Sequence, residues 1–135
     1  MTALTLATAQ QLVQQALTQA QQAFGRPIVV AVVDASGVLL AFARQEGAPL
    51  RSVAIAQGKA YSAARMGSTT RAVLDRLKNE GIELAYFCDP QLTALPGGSP
   101  LKRADGMLCG AIGVSGLAAL EDQQVTDAVA AQFAL

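Results

Sequence analysis

The 135-residue sequence contains no histidine. That absence removes the usual general base at neutral pH, the commonest metal ligand and every Ser-His or Cys-His dyad. Zinc sites with histidine ligands are excluded, and two cysteines alone make a poor structural zinc site; no metal site is expected. Tryptophan is also absent and aromatics are scarce, so the core must be built from Ala, Val, Leu and Ile. Neither sign of charge dominates, since ten basic residues balance ten acidic ones. A chain with zero net charge and no basic run offers no electrostatic footprint for nucleic acid or an anionic membrane. No apolar run approaches the roughly 20 residues needed to span a bilayer. The N-terminal "MTALTLATAQQLVQQ" lacks the charged start and apolar block of a secretory leader. Cys88 and Cys109 lie far apart and outside any CxxC arrangement. They are expected to be buried free thiols in a reducing, cytoplasmic setting.

Apolar material is plentiful, at 52% of the residues, and the length suits a single domain over 1–135. In "ATAQQLVQQALTQAQQAF", Leu12, Val13, Ala16, Leu17, Ala20 and Phe24 recur on one face at helical spacing, with Gln on the other. Thr5 or Thr8 serves as N-cap, and Gly25 ends the helix. "IVVAVV" and "VLLAFA", split by "DASG", read as an antiparallel hairpin covered on both faces. "LRSVAIAQGKAYSAARM" returns to helical spacing with a stripe of small residues, Val53, Ala56, Ala60 and Ala63. Gly58 interrupts that helix at a cost of about 1 kcal/mol relative to Ala. A short helix, "TRAVLDRLKNEG", follows; "ELAYFCD" is expected as a further strand; the region from Pro90 to Pro96 reads as loop. The order of elements predicts an α+β domain with a mainly antiparallel sheet, not a doubly wound one.

Six of the twelve glycines crowd into "GGSPLKRADGMLCGAIGVSG", Gly97 to Gly116. Asp105-Gly106 predicts a two-residue hairpin turn with both central residues at positive φ. In the strand after it, Met107, Cys109, Ala111, Gly113 and Ser115 share one nearly flat face. Something must come close to that face: a helix rich in Ala and Gly, a partner subunit or a planar ligand. The spacing of Gly110, Gly113 and Gly116 is GxxGxxG, not GxGxxG, and it lacks the strand-turn-helix context of a dinucleotide site. The last segment, from about Asp122 to Phe133, reads as an amphipathic helix with a carboxylate at its start.

The chemistry-bearing candidates are few. Lys59, among small residues, either reaches a substrate carboxylate, acts as a desolvated amine, or lays its stem over the surface. Arg44 either clamps a carboxylate or pairs with Glu46. Gly97 and Gly98 either form an anion-holding nest of backbone N–H groups or a plain turn entering an edge strand with Pro100. Tyr61, Met66, Met107, Cys88 and Cys109 are each able to ligate haem iron, and each is more simply a core residue.

The blocks "VAVVDASGVLLAFARQEGA", "AIAQGKAYSAAR", "GGSPLKRADGMLCGAIGVSG" and "EDQQVTDAVAA" resemble the GlcG/HbpS-like haem-binding family, also found as the C-terminal domain of PduO-type proteins. The resemblance runs over almost the whole chain. It implies a profilin-like α+β domain with about five strands, a homo-oligomer built as a dimer or higher ring, and haem as a cofactor. It carries over no axial ligand, because this chain has no histidine. The resulting expectation is a cytoplasmic, oligomeric small-molecule-binding protein. Lys59, Arg44, Gly97, Gly98 and Pro100 are its expected ligand-binding residues, with Lys59 and Arg44 meeting carboxylates. Two alternatives remain open. One is an enzyme of small organic-acid catabolism using Lys59 as base or Schiff-base amine, with Asp105 or Asp34 as acid partner. The other is an accessory structural subunit.

Overall fold

The first helix, α1 (Leu6–Ala23), starts where the Thr5 hydroxyl oxygen accepts from the Thr8 N–H at 3.1 Å. It buries Leu12, Ala16 and Ala20, the stripe set by the sequence. The computed structural model describes residues 3–133. After α1 come β1 (Val29–Asp34), β2 (Leu39–Arg44), α2 (Ser52–Met66) and α3 (Thr70–Glu80). A 3-10 turn (Leu84–Phe87), β3 (Gly98–Lys102), β4 (Leu108–Ser115) and α4 (Ala119–Gln132) complete the chain.

The strands form one antiparallel sheet in the order β2-β1-β4-β3. Helices cover both of its faces. Val30, Val32, Ile112 and Val114 meet Leu12, Ala16 and Ala20 of α1 and Val125 and Val129 of α4. On the other face Val29, Ala31, Val33 and Ala111 meet Ala56, Ala60 and Ala63 of α2. The continuous apolar run of β1 is thus buried on both sides, as a central strand requires. Each valine there contributes on the order of 2 kcal/mol of burial.

The crowded glycines answer to α2. A Cβ on Gly113 would lie 2.3 Å from the Ala56 carbonyl oxygen and 2.5 Å from the Ala60 nitrogen. One on Gly98, its register partner across β3 and β4, would lie 2.4 Å from the Lys59 carbonyl oxygen. The body pressed against the flat strand face is therefore the Ala-rich helix of the same chain. Pro100 sits in edge strand β3 opposite Ala111, where its missing N–H costs no central ladder bond.

Three expectations are corrected. The sheet has four strands rather than about five, because "ELAYFCD" forms the 3-10 turn, ending at Cys88 with φ 60°. Cys88 is accordingly exposed, and only Cys109 is buried. The Asp105-Gly106 turn has just one residue at positive φ, Gly106. Bonds from Gly106 N to Arg103 O and from Arg103 N to Met107 O close a longer loop. The first hairpin turns in the same way, through Gly37 with Asp34 and Val38. Among the described residues no helix is long and apolar enough to cross a membrane.

Candidate functional site

Lys59 faces inward from α2 because Ala56, Ala60 and Ala63 pull that side of the helix onto the sheet. Its amine is sealed, with 1% of the residue exposed. Nζ donates to Asp122 Oδ2 at 3.0 Å and to the Val114 carbonyl at 2.9 Å. Burial depresses the Lys59 pKa, and Asp122 works against that shift. Burial also pushes the Asp122 carboxyl up to about 6, opposed by the Lys59 charge. The carboxylate partner of Lys59 is thus Asp122, not Asp34 or Asp105. Asp34 and Asp105 accept backbone N–H bonds in their own hairpin turns.

Gly97 and Gly98 do lie against Lys59, yet their N–H groups face protein atoms. The Gly97 N–H donates to Gln123 Oε1 at 2.7 Å, and the Gly98 N–H to the Thr70 hydroxyl at 2.9 Å. A Cβ on Gly97 would lie 2.7 Å from Lys59 Nζ. No anion nest is left open between the helix and the loop. Arg44 is exposed at the end of β2, and strands β1 and β4 separate it from β3. The structure therefore brings Lys59, Gly97 and Gly98 together around an internal ion pair. It does not bring Arg44 to them within one protomer.

Open space lies instead on the outer side of α2. One groove, of about 320 Å³, is lined by Val33, Gly37, Leu39, Ala54, Gly58 and Tyr61, among others. A second, of about 450 Å³, is lined by Tyr61, Arg65, Met66, Phe87, Cys88 and Asp89, with neighbouring residues. Tyr61 and Gln91 border both and divide them. The Tyr61 ring is fixed on several sides. A Cβ on Gly37 would fall 2.9 Å from it, and the Arg65 guanidinium carbon stands 5.6 Å from its centroid. Its hydroxyl donates to Asp89 Oδ2 at 2.7 Å.

Asp89 also accepts from the Gln91 N–H at 3.0 Å and sits 4.0 Å from Arg65. The Tyr61 hydroxyl, followed by the Gln91 N–H, holds the Asp89 carboxyl below the usual range. The bond to Asp89 in turn raises the Tyr61 phenol pKa above its ordinary value. Three of the five side chains able to ligate iron, Tyr61, Met66 and Cys88, thus line one groove beside a guanidinium. Arg65, Asp89 and Gln91 were not legible as site residues. The available signal was the i,i+4 placement of Tyr61 and Arg65, which puts them on one helix face.

The family model described as "Haem degrading protein HbpS-like" matches residues 4–131. The chain belongs to the HbpS-like family. Among solved structures, HbpS itself is 32% identical, with a TM-score of 0.86, covering 97% of this chain and 90% of its own. The PduOC:heme complex is 31% identical with a TM-score of 0.85, covering 96% of this chain and 94% of that one. Protein ORFY of Klebsiella pneumoniae is 25% identical with a TM-score of 0.85, covering 97% and 91%. No match was found among curated proteins. Family membership accounts for the α+β fold and for the sequence blocks shared over nearly the whole length.

Proposed function

We propose that the chain binds haem, or a related planar ligand bearing carboxylates, in the paired grooves divided by Tyr61. One observation carries this reading. A phenol, a thioether and a thiol line the same groove as Arg65, in a member of a family described by haem degradation. Tyr, Met and Cys all serve as axial ligands of haem iron, so the donor set fits the group without histidine. The Tyr61 hydroxyl is engaged with Asp89 at 2.7 Å, which favours Met66 and Cys88 as the iron donors. Arg65 supplies a fixed positive charge for a carboxylate. Bound haem would supply iron whose reactivity is set by its axial ligand and surroundings. Lys59, Gly97 and Gly98 support the site from behind, by holding α2 to the sheet. Burial of the Lys59 amine argues against its use as a base or Schiff-base nucleophile.

A cytoplasmic homo-oligomer belongs to the same proposal. It is supported by the exposed Leu39 and Phe42 of edge strand β2 with Val38 just before them, and by two free thiols.

Absorbance titration with haem tests the reading. A Soret shift at micromolar protein is expected, with a band position that changes in Met66→Leu or Cys88→Ser. No shift, or one identical in Met66→Leu, Cys88→Ser and Tyr61→Phe, overturns it.

A further inference from the structure

Eleven of the twelve glycines have a reason inside the fold. Eight hold positive φ. Gly98, Gly110 and Gly113 have backbone atoms within 2.4 Å of where a Cβ would stand. Gly58 has neither reason. It lies inside α2 at ordinary helical φ, and a Cβ there would meet only Thr93 Cγ2 at 3.7 Å and the Gln91 carbonyl oxygen at 4.0 Å. Those are ordinary van der Waals distances. Glycine is the least favourable residue in a helix interior apart from proline, so the fold alone would gain from alanine. The space a methyl would fill belongs to the smaller groove, where Gly58 is a wall residue between Ala54, Gln57 and Tyr61.

We infer that Gly58 sets the ligand size of this site, its missing side chain admitting the apolar edge of a flat, carboxylate-bearing macrocycle. This rests on the groove reading above. The occupant follows from the lining: Val33, Leu39, Ala54 and bare Gly58 offer an apolar slot on one side of Tyr61. Arg65 offers a cation on the other side. A ligand spanning both is apolar along one edge and anionic at the other, and it needs no metal to fit the slot. Gly58 thus governs the body of the ligand, while Met66 and Cys88 concern its iron.

The test compares wild type with Gly58→Ala and Gly58→Val. It uses haem and iron-free protoporphyrin IX as probes, with melting temperatures of the apo proteins and light scattering alongside. Gly58→Ala is expected to raise the melting temperature by roughly 2–8 °C, while weakening both probes about tenfold or more. Gly58→Val, which also fills the slot, is expected to weaken both further. Equal affinity of wild type and Gly58→Ala for protoporphyrin overturns the inference and leaves the haem reading standing. Failure of wild type to bind either probe overturns both. If Gly58→Ala instead dissociates an oligomer with probe affinity unchanged, the slot belongs to a contact between copies, and the inference falls.

Discussion

Lys59 Nζ and Asp122 Oδ2 lie 3.0 Å apart, and both residues are almost fully sealed from water. The pair joins α2 to the start of α4, where Asp122 Oδ1 also accepts the Leu117 N–H at 3.1 Å. Removing one member leaves the other charge buried without its partner, at a cost of about 3–5 kcal/mol. Lys59→Met and Asp122→Asn are each expected to lose that much in urea denaturation. The double variant is expected to lose at least about 2 kcal/mol less than the sum. Additive losses would mean that the pair is not coupled.

Burial also sets a pH signature. Asp122 has its folded pKa raised to about 6, above the ordinary carboxylate value. Its share of stability is therefore fully present below the unfolded pKa, and is lost as pH rises through about 6. Carboxyl ¹³C NMR is expected to find Asp122 titrating near 6, while Asp89 titrates below the usual aspartate range. A midpoint for Asp122 at or below 4 contradicts this assignment.

The close seat of α2 predicts a sharp contrast among glycines. Gly113→Ala drives a methyl into the Ala56 carbonyl and the Ala60 nitrogen, so a loss of about 3 kcal/mol is expected. Gly81→Ala meets no atom within 4 Å and carries only the strain of its positive φ, about 1 kcal/mol. Thermal melts of the two variants check the ordering, and similar losses would refute the close approach.

At the groove, Arg65→Ala is expected to reduce haem affinity about tenfold, because a charge-assisted contact from this half-exposed guanidinium falls at the low end of its range, about 1.5 kcal/mol. The wild-type affinity is expected to fall with added salt more steeply than that of the variant. Affinity measured at two ionic strengths distinguishes this from a purely apolar contact.

The removal of Asp89's partner is separately measurable. Tyr61→Phe deletes the 2.7 Å bond that does most to lower the Asp89 pKa. The Asp89 midpoint is expected to rise toward the ordinary value in that variant. An unchanged midpoint would show that the Gln91 N–H and Arg65 suffice.

The fold was legible where periodicity and punctuation agreed. The stripe in α1, the covering of β1 on both faces and the stop of α3 at Gly81 all follow from local chemistry, whereas β2, the hairpin partner of β1 and expected to be covered as well, is an edge strand that leaves Leu39 and Phe42 exposed. "ELAYFC" misled because its aromatic and aliphatic residues suit a strand in isolation, while the chain needed a tight turn before the Tyr61–Asp89 contact. The site was harder to read. Lys59 stands out in the sequence as a lone cation among small residues, but its partner Asp122 is 63 positions away, and no spacing announces such a pair. Tyr61, Met66 and Cys88 were each recognisable as iron donors. Their convergence depends on how the 3-10 turn folds back against α2, which is a property of tertiary packing.

The pairing of Gly98 with Gly113 seats α2 on bare strand backbone at that crossing, a notch flanked by the side chains of Ala31 and Ala111 in which the helix is held against sliding. Shear between helix and sheet, a common route by which proteins adjust to a guest, is thereby closed off. The helix becomes a fixed jaw carrying Gly58, Tyr61 and Arg65, and accommodation falls to the opposing chain between Phe87 and Thr93. Differences between free and loaded forms would then be confined to that one side of the mouth.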